Sequence, residues 1–468
     1  MQMNTFDLLI IGGGINGVGI ARDAAGRGLS VLLVEQDDLA AHTSSASTKL
    51  IHGGLRYLEH FAFRLVAEAL AEREVLLRAA PHLVEPLQFV LPHEPHLRPK
   101  WMIRSGLLLY DHLGGHRTLP RSGVVRLDSG LYGAGLKPSF RSGFLYSDAR
   151  VDDARLVVAN ALDARARGAD IRPRTRFAGA SCDAGFWRAR LGPSSGGDVE
   201  VRARALVNAT GPWVVDVLDD IHGARAEAGV RHVKGSHLVV PRVHSAEHAY
   251  LLQNADGRIV FVIPYQDRYT LIGTTDIPVD SYAVPAIDAA ETEYLLAIAN
   301  AYLARPLTTR DITWTYSGVR PLYDDGARDP SAVTRDYVLK MEAVGAAHGA
   351  SPAGAPLLSI YGGKITTYRK LAEAALVALA PFFPGMKPAW TSGTTLPGGD
   401  LPGGDRVAWL TELCRRYPGL DAELLRALAR RHGTSATAVL GDAKTTADLG
   451  EDFGAGLTER ELTWLIAE

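Results

Sequence analysis

The stretch Asp7-Leu-Leu-Ile-Ile-Gly-Gly-Gly-Ile-Asn-Gly17 decides how this chain folds. Its apolar run, Leu8 to Ile11, has the unbroken hydrophobicity of a strand covered on both faces. Gly12, Gly14 and Gly17 stand at G-x-G-x-x-G spacing. Gly12 permits a tight turn, Gly14 lets backbone approach a pyrophosphate, and Gly17 lets the next helix lie close on the sheet. That helix is predicted from about Asn16 to Ala25, with its N-terminus facing the phosphates. Leu29 to Val34 predicts a second buried strand. Glu35 ends it, where a carboxylate would hold a ribose hydroxyl pair and repel a 2′-phosphate. Strand, glycine loop, helix, strand and acid in register predict an α/β, Rossmann-type dinucleotide domain at the start of the chain.

Around this start the composition is that of an ordinary globular protein. Of 468 residues, 47% are hydrophobic and 22% charged, which supports a large core and excludes disorder. A formal net charge of -2 supplies no global positive field, so no nucleic-acid partner is expected. Cys182 and Cys414 alone make neither a disulfide framework nor a thiolate zinc site. They fit a reducing compartment, and His93 and His96 lack ligand company, so no metal is expected. No basic N-terminal region precedes the first strand. No apolar run nears the ~18 residues of a membrane span, so neither a signal peptide nor a transmembrane helix is expected.

Helices are predicted at Phe63 to Ala80, Asp152 to Arg167 and Ala289 to Ala304. Short strands are predicted at Ile171 to Arg176, Trp187 to Leu191, Val199 to Ala203 and Ala205 to Asn208. His237 to Val240, Ile259 to Ile263 and Tyr269 to Ile272 suggest a second, antiparallel sheet. Gly345 to Pro356 reads as a loop. Thr391 to Asp405 reads as a linker, before helices at Val407 to Arg416, Asp421 to Arg431 and Thr458 to Glu468.

Three further motifs separate FAD from NAD. Thr43 to Tyr57 carries Ser44, Ser45, Ser47, Lys49 and Gly54, whose hydroxyls, charge and amides suit a pyrophosphate and ring channel; His52 there would orient the flavin loop. Val207-Asn-Ala-Thr-Gly-Pro-Trp213 puts Ala209, Thr210 and Gly211 after a late strand. Tyr361-Gly-Gly-Lys-Ile-Thr-Thr-Tyr-Arg369 leads Gly363, Ile365 and Thr366 into a helix whose N-terminus suits the flavin end that becomes negative on reduction.

At these residues the chain resembles the bacterial respiratory FAD-dependent glycerol-3-phosphate dehydrogenases. The resemblance runs through Ile11 to Gly28, Thr43 to Glu59, Val207 to Trp213, Lys234-Gly-Ser-His237, Ile272-Gly-Thr-Thr-Asp276, Tyr316 to Leu322 and Gly362 to Ala372. It implies an FAD-binding domain of the glutathione-reductase/amino-acid-oxidase type, made of 1–75, 150–232 and 356–385. It further implies a mixed-sheet substrate-binding domain (76–149 and 233–355) and a helical C-terminal cap (390–468). A homodimer, quinone as acceptor, and a cytoplasmic location at the inner face of the membrane are implied as well. Around the substrate, glycerol 3-phosphate, it places Arg56, Tyr57, His237, Thr274, Arg320, Arg335 and Lys364.

The chemistry fits those residue types. A dianionic phosphate held away from water needs fixed cations, preferably bidentate arginines. Arg56, Arg320 and Arg335 are expected in turn-like settings, and Lys364 on the Gly-Gly-Lys turn. Hydride transfer from C2 to flavin N5 also releases the hydroxyl proton. His237 is the candidate base; alternatively Lys364 or Arg320 stabilises the alkoxide and water takes the proton. Arg98, Lys100 and Arg104 interleave with Trp101 to Leu109 as in a segment lying on an anionic membrane surface, unless this is a core helix with a basic edge. Rival readings are an oxidase of the same substrate that uses oxygen, an amino-acid or amine oxidase, and a non-catalytic dinucleotide-binding protein.

Overall fold

The computed structural model describes residues 4–94, 98–115, 118–193, 197–225, 229–324, 336–344 and 354–468. Two sheets organise them. In the first, Thr5–Ile11 lies parallel between Val31–Val34 and Val199–Asn208. Asp170–Arg172 and Ala355–Tyr361 extend it in parallel on either side, and Val338–Val344 closes one edge antiparallel. Alternation along the opening strand explains its unbroken apolarity. Leu8 and Ile10 pack with Val18, Leu156 and Leu371, on helices Ile15–Gly26, Asp153–Ala166 and Tyr368–Leu379. Leu9 and Ile11 pack the other way, with Phe177, Trp187 and Val201 of a three-stranded meander.

Three local expectations need correction. Val199–Asn208 is one strand of ten residues, not two short ones. Its first half pairs antiparallel with Phe186–Pro193, and from Arg202 onward it pairs parallel with the opening strand. The expected strand Ile171 to Arg176 instead breaks after Arg172, where Arg174 takes a positive φ of 53° and starts Thr175–Asp183 in a new direction. The strand Val338–Val344, expected on the substrate side, belongs to the nucleotide sheet because it pairs along its whole length with Ala355–Tyr361. Most of the loop expected at Gly345 to Pro356 lies outside the described residues.

The second sheet is built on Gly229–Pro241, which pairs with Trp314–Asp324 on one side and with Tyr269–Gly273 and the short Ile277–Pro278 on the other. Ile259–Tyr265 and Ala249–Gln253 continue it. Val84–Pro92 then runs parallel to Ala249–Gln253, which makes the sheet mixed, and Ser142–Val151 and Leu50–Ile51 follow. Helix Ala289–Tyr302, started by an Asp288–Glu291 capping box, buries Leu295 and Ala299 against one face. Helices Phe63–Ala79 and Lys100–Leu113 bury Leu70, Leu107 and Tyr110 against the other.

The C-terminal helices Arg406–Arg416, Ala422–His432, Ala436–Leu440 and Glu459–Ala467 enclose a core of their own around Leu413, Leu425 and Leu428. The stretch expected as a linker is packed, not loose. Leu396 and Leu401 are buried, and the Leu396 N–H donates to the Ala79 carbonyl at 2.7 Å. Arg155 donates to His432 Nδ1 at 2.7 Å, and His432 Nε2 meets Glu461 at 2.7 Å.

His82 is buried at this junction, with Arg155, His432, Arg406 and Asp400 around it. Burial first, then Arg155, His432 and Arg406, push its pKa down to about 3, while Asp400 opposes them. A depressed imidazole binds its proton better once unfolded. Its stabilising share is therefore intact above the ordinary value of 6.5 and is lost as pH falls toward 3. Each pH unit in that window costs up to about 1.4 kcal/mol. Thermal midpoints measured near pH 7.5 and pH 5 should drop more for the wild type than for His82→Leu; equal drops would remove His82 from the account.

Candidate active site and cofactor cavity

A cavity of about 470 Å³ runs between the two sheets and takes its walls from both. At one end lies the glycine loop. Gly12 adopts a φ of 110° that a side chain would strain, and the Ile15 N–H at the start of the first helix donates to Ser44 Oγ at 3.0 Å. Glu35 accepts from the Gly13 N–H at 2.7 Å on one oxygen and from the Asp37 N–H at 2.9 Å on the other. A carboxylate oxygen has two lone pairs, so both keep capacity for a sugar hydroxyl. Gly17 is not on the wall; a Cβ there would lie 1.9 Å from the Gly12 carbonyl oxygen, so its role is close packing.

Midway, Asn16 donates to the Gly362 carbonyl at 3.1 Å, while its Oδ1 is buried without a protein partner. An orphan acceptor facing this cavity suits the hydroxyls of a ribityl chain. Gly363, at φ 97°, leaves room for Asn16: a Cβ would come within 2.8 Å of its amide nitrogen. Ala209, Thr210, Gly211, Ile365 and Thr366 line the cavity with Ser47 and His52. The donor set fits FAD laid end to end. Glu35 would take the adenosine sugar, the helix N-terminus the pyrophosphate, Asn16 the ribityl chain, and the Ser47–His52 side with Ile365 and Thr366 the flavin.

At the flavin end the second sheet contributes His237, Thr274 and Arg320; Tyr57 and Lys364 join them. His237 stacks on Tyr316 with ring centres 4.6 Å apart, its Nε2 lies 3.0 Å from the Thr48 hydroxyl, and its Nδ1 has no partner. Burial, then Arg320 and Lys49, push its pKa down to about 3, so the ring is neutral near pH 7. The Arg320 guanidinium donates to the Thr275 carbonyl at 2.9 Å and lies 3.2 Å from Asp276. Lys364 Nζ sits 3.9 Å from the Tyr57 ring centre, a cation–π contact. Behind them Glu291, almost fully buried, accepts from the Ser236 and Thr275 hydroxyls at 2.8 and 2.6 Å and pairs with Lys234 at 2.8 Å. That network fixes the turn bearing Thr274.

Several expected site residues lie off the cavity wall. Lys49 is locked to Asp153 at 2.6 Å and to the Ser45 carbonyl. The Ser45 hydroxyl turns back to the His42 carbonyl, and Gly54 supplies a left-handed cap, φ 74°, to the 3-10 turn Leu55–His60. Arg56 sits in that helical turn rather than in a loop and is not among the cavity residues; Arg320 is on a strand. Arg335 lies outside the described residues. Conversely, Gln36, His42, Thr175, Arg176, Phe177, Trp213 and Asp216 line the nucleotide end. Trp213 ends a motif already in view, whereas 175–177 reach the cavity only through the turn after Arg172. Glu35, Asp37 and His42 also bring three potential ligand atoms within 4.8 Å of one another, but His42 is engaged by Asp37 and Glu35 by two amides.

This geometry agrees with the chain's relatives. Residues 7–369 match the family model for FAD dependent oxidoreductases. The chain is 54% identical over 462 residues, 98% of its length and 88% of the relative's, to the glycerol-3-phosphate dehydrogenase of Pseudomonas aeruginosa. The chain belongs to the FAD-dependent glycerol-3-phosphate dehydrogenases. It is also 53% identical to the aerobic glycerol-3-phosphate dehydrogenase of Escherichia coli, over 99% of this dehydrogenase and 91% of that one. The X-ray structure of the Bacillus halodurans glycerol-3-phosphate dehydrogenase complexed with FAD superposes with a TM-score of 0.71 at 28% identity, over 93% of this chain and 77% of that one. FAD is the cofactor of this dehydrogenase, and the fold is the FAD-dependent oxidoreductase fold.

Gly17→Ala tests the cavity's nucleotide end. The added methyl must displace the Gly12 carbonyl or lift the helix, because 1.9 Å is far inside contact distance. Overpacking of this kind costs about 1–3 kcal/mol or more. The variant should purify without yellow flavin absorbance and melt at a lower temperature. Full FAD content would show that Gly17 does not shape the site.

Proposed function

We propose that the chain oxidises sn-glycerol 3-phosphate to dihydroxyacetone phosphate and passes the electrons to a membrane quinone. The observation that carries this is the meeting of Arg320, Lys364, Thr274 and His237 at the flavin end of one cavity, cations beside a neutral imidazole. Bound FAD supplies the hydride acceptor at N5 and relays the electrons onward. Arg320 and Lys364 hold the phosphate or the developing alkoxide. Tyr57 steadies Lys364, and Thr274 orients a hydroxyl. His237 takes the C2 hydroxyl proton. Burial, then the positive field of Arg320 and Lys49, depress its basicity; a dianion bound beside Arg320 offsets part of that field and raises its proton affinity for that step. The family resemblance adds Arg335 as a further phosphate ligand in this reading.

Two outcomes test these roles. Arg320→Lys keeps charge but loses the planar fork. A hydrogen bond to a charged group is worth about 1.5–3 kcal/mol, so the half-saturating glycerol 3-phosphate concentration should rise about 10- to 150-fold. The weak binding of glycerol should be little changed, and equal losses would show that Arg320 does not read phosphate. For His237→Gln, anaerobic flavin reduction should slow by roughly 10²–10⁴-fold with little change in substrate half-saturation. An unchanged rate would make water the proton acceptor.

No described helix is long and apolar enough to cross a membrane. Quinone is lipid-dissolved, so the reading places the protein peripherally on an anionic membrane surface. Helix Lys100–Leu113 supports it, with a correction to the expected apolar face. Ile103 and Leu107 are core residues, 7% and 2% exposed, whereas Trp101 and Leu108 stand 70% and 61% exposed beside Met102 and Leu109. Lys100 and Arg104 are exposed on the same helix, and Val124 adds another apolar side chain at the cleft that Trp101 borders. Phe61 and Phe63 are exposed just beyond the 3-10 turn packed on this helix. Each basic residue near an anionic leaflet contributes about 1 kcal/mol, a share that salt weakens. The variant with Trp101→Glu and Leu108→Glu should keep FAD and dye-linked turnover, stop sedimenting with anionic vesicles, and lose turnover with lipid-dissolved quinone. Full vesicle binding by the variant would move the attachment elsewhere, and peroxide release by the wild type in air would point to oxygen as acceptor.

A further inference from the structure

Helix Lys100–Leu113 also has an inner face, and one side chain on it reaches the turn behind the cavity wall. Tyr110, 3% exposed, accepts a hydrogen bond from the Gly53 N–H at 2.8 Å. Its own hydroxyl proton goes to Asp148, whose oxygens lie 2.7 and 2.8 Å away. Asp148 is held by Arg73 at 2.7 Å; Arg73 also binds the Ser147 carbonyl and Glu74, and Glu74 accepts from Thr118. All four ionisable members of this chain are buried. Burial, and next the charge of Asp148, push the Tyr110 pKa well above its ordinary value, so the hydroxyl keeps its proton.

Gly53 belongs to the His52–Gly54 turn. On the other side of that turn the His52 N–H donates to Thr366 Oγ1 at 3.3 Å, and His52 and Thr366 both line the flavin end. The turn is thus tied at one point to the cofactor wall and at the next residue to the helix. No slack exists between them: a Cβ on Gly53 would lie 2.5 Å from Leu70 and 2.7 Å from the Tyr110 hydroxyl oxygen. The Gly53 N–H also lies 3.4 Å from Asp148 Oδ1, so losing the tyrosine hydroxyl leaves it only a long, weak bond unless the turn moves to shorten it.

We propose that Tyr110 is a positioning residue of the redox site: its hydroxyl, clamped by Asp148, fixes the Gly53 amide and thereby sets His52 and its turn against the flavin. The inference deepens the flavoenzyme reading and depends on FAD lying with its ring at the Ser47–Thr366 end. It does not depend on membrane attachment. Tyr110→Phe keeps the ring that packs on Tyr146 and Leu70 and deletes only the hydroxyl.

The test uses the FAD-loaded full chain. The visible circular dichroism of the flavin and its anaerobic reduction by glycerol 3-phosphate are compared in wild type and Tyr110→Phe. Small displacements at a reacting centre are costly, so reduction at saturating substrate should fall on the order of tenfold. Half-saturation should stay within about twofold, because the substrate's cations are untouched. The visible dichroism should change as well. A folded variant with wild-type dichroism and reduction rate overturns the proposal, as does a change confined to thermal stability or half-saturation. If Tyr110→Phe fails to fold, Asp148→Asn, which keeps an acceptor for the tyrosine but weakens its clamp, should show the same dichroic change; its absence overturns the proposal. If glycerol 3-phosphate reduces neither protein, the substrate reading fails, while the dichroism comparison still decides the role of Tyr110.

Discussion

The structure hangs on a contact that has no side chain in it. Gly17, in the first turn of the opening helix, faces the Gly12 carbonyl, and Gly12 in turn faces the Ala209 carbonyl; a Cβ at either position would sit 1.9 or 2.6 Å from the opposing oxygen. These approaches seat the helix N-terminus on the sheet where Thr5–Ile11 meets Val199–Asn208. The partial positive charge of that terminus is thereby aimed into the cavity. Glu35, Ser44 and Asn16 line the cavity around that terminus because the backbone has been placed this closely.

The second sheet reaches the same cavity through a few directed bonds. The Thr43 hydroxyl donates to the Val319 carbonyl at 2.7 Å, and the Tyr316 hydroxyl to the Ser47 carbonyl at 2.8 Å. Both join the flavin-side loop to Trp314–Asp324, the strand that bears Arg320. His232 meets the Pro212 carbonyl at 3.0 Å and stacks on Tyr282, whose ring lies edge-on to Trp213. Cavity groups carried by one sheet, those proposed for the substrate, are therefore held in fixed relation to cavity groups carried by the other, those proposed for the cofactor. Pre-organisation of this kind is what hydride transfer between two bound molecules requires.

Much of the nucleotide half was legible in the sequence because its signals are local. Gly12, Gly14, Gly17 and Glu35 fall within one βαβ unit, and Gly363, Ile365 and Thr366 within one glycine turn. What escaped was set by distant packing. Trp390 directly precedes the stretch read as a linker, yet its ring lies where a Cβ of Gly26 would go, beside the guanidinium groups of Arg22 and Arg167 at 4.9 and 3.9 Å. Lys49 reads as a phosphate ligand because it stands among serines; only the fold brings Asp153 to it. Trp101 and Ile103 are two residues apart in one apolar run, and the helical turn sends one to solvent and the other into the core. Arg320 is identified by its motif, but its place on a strand opposite Val233 follows from pairing that no local pattern reveals.

In the proposed reaction, the cations at the flavin end recognise a polyol phosphate whose C2 hydride passes to FAD. The most direct measurement is the visible spectrum of the FAD-loaded protein, titrated anaerobically with sn-glycerol 3-phosphate and, separately, with glycerol. Full bleaching of the flavin absorbance is expected with about one equivalent of the phosphate, and none with glycerol at the same concentration. Flavin that stays oxidised in excess glycerol 3-phosphate, or that bleaches equally with glycerol, would contradict the proposal.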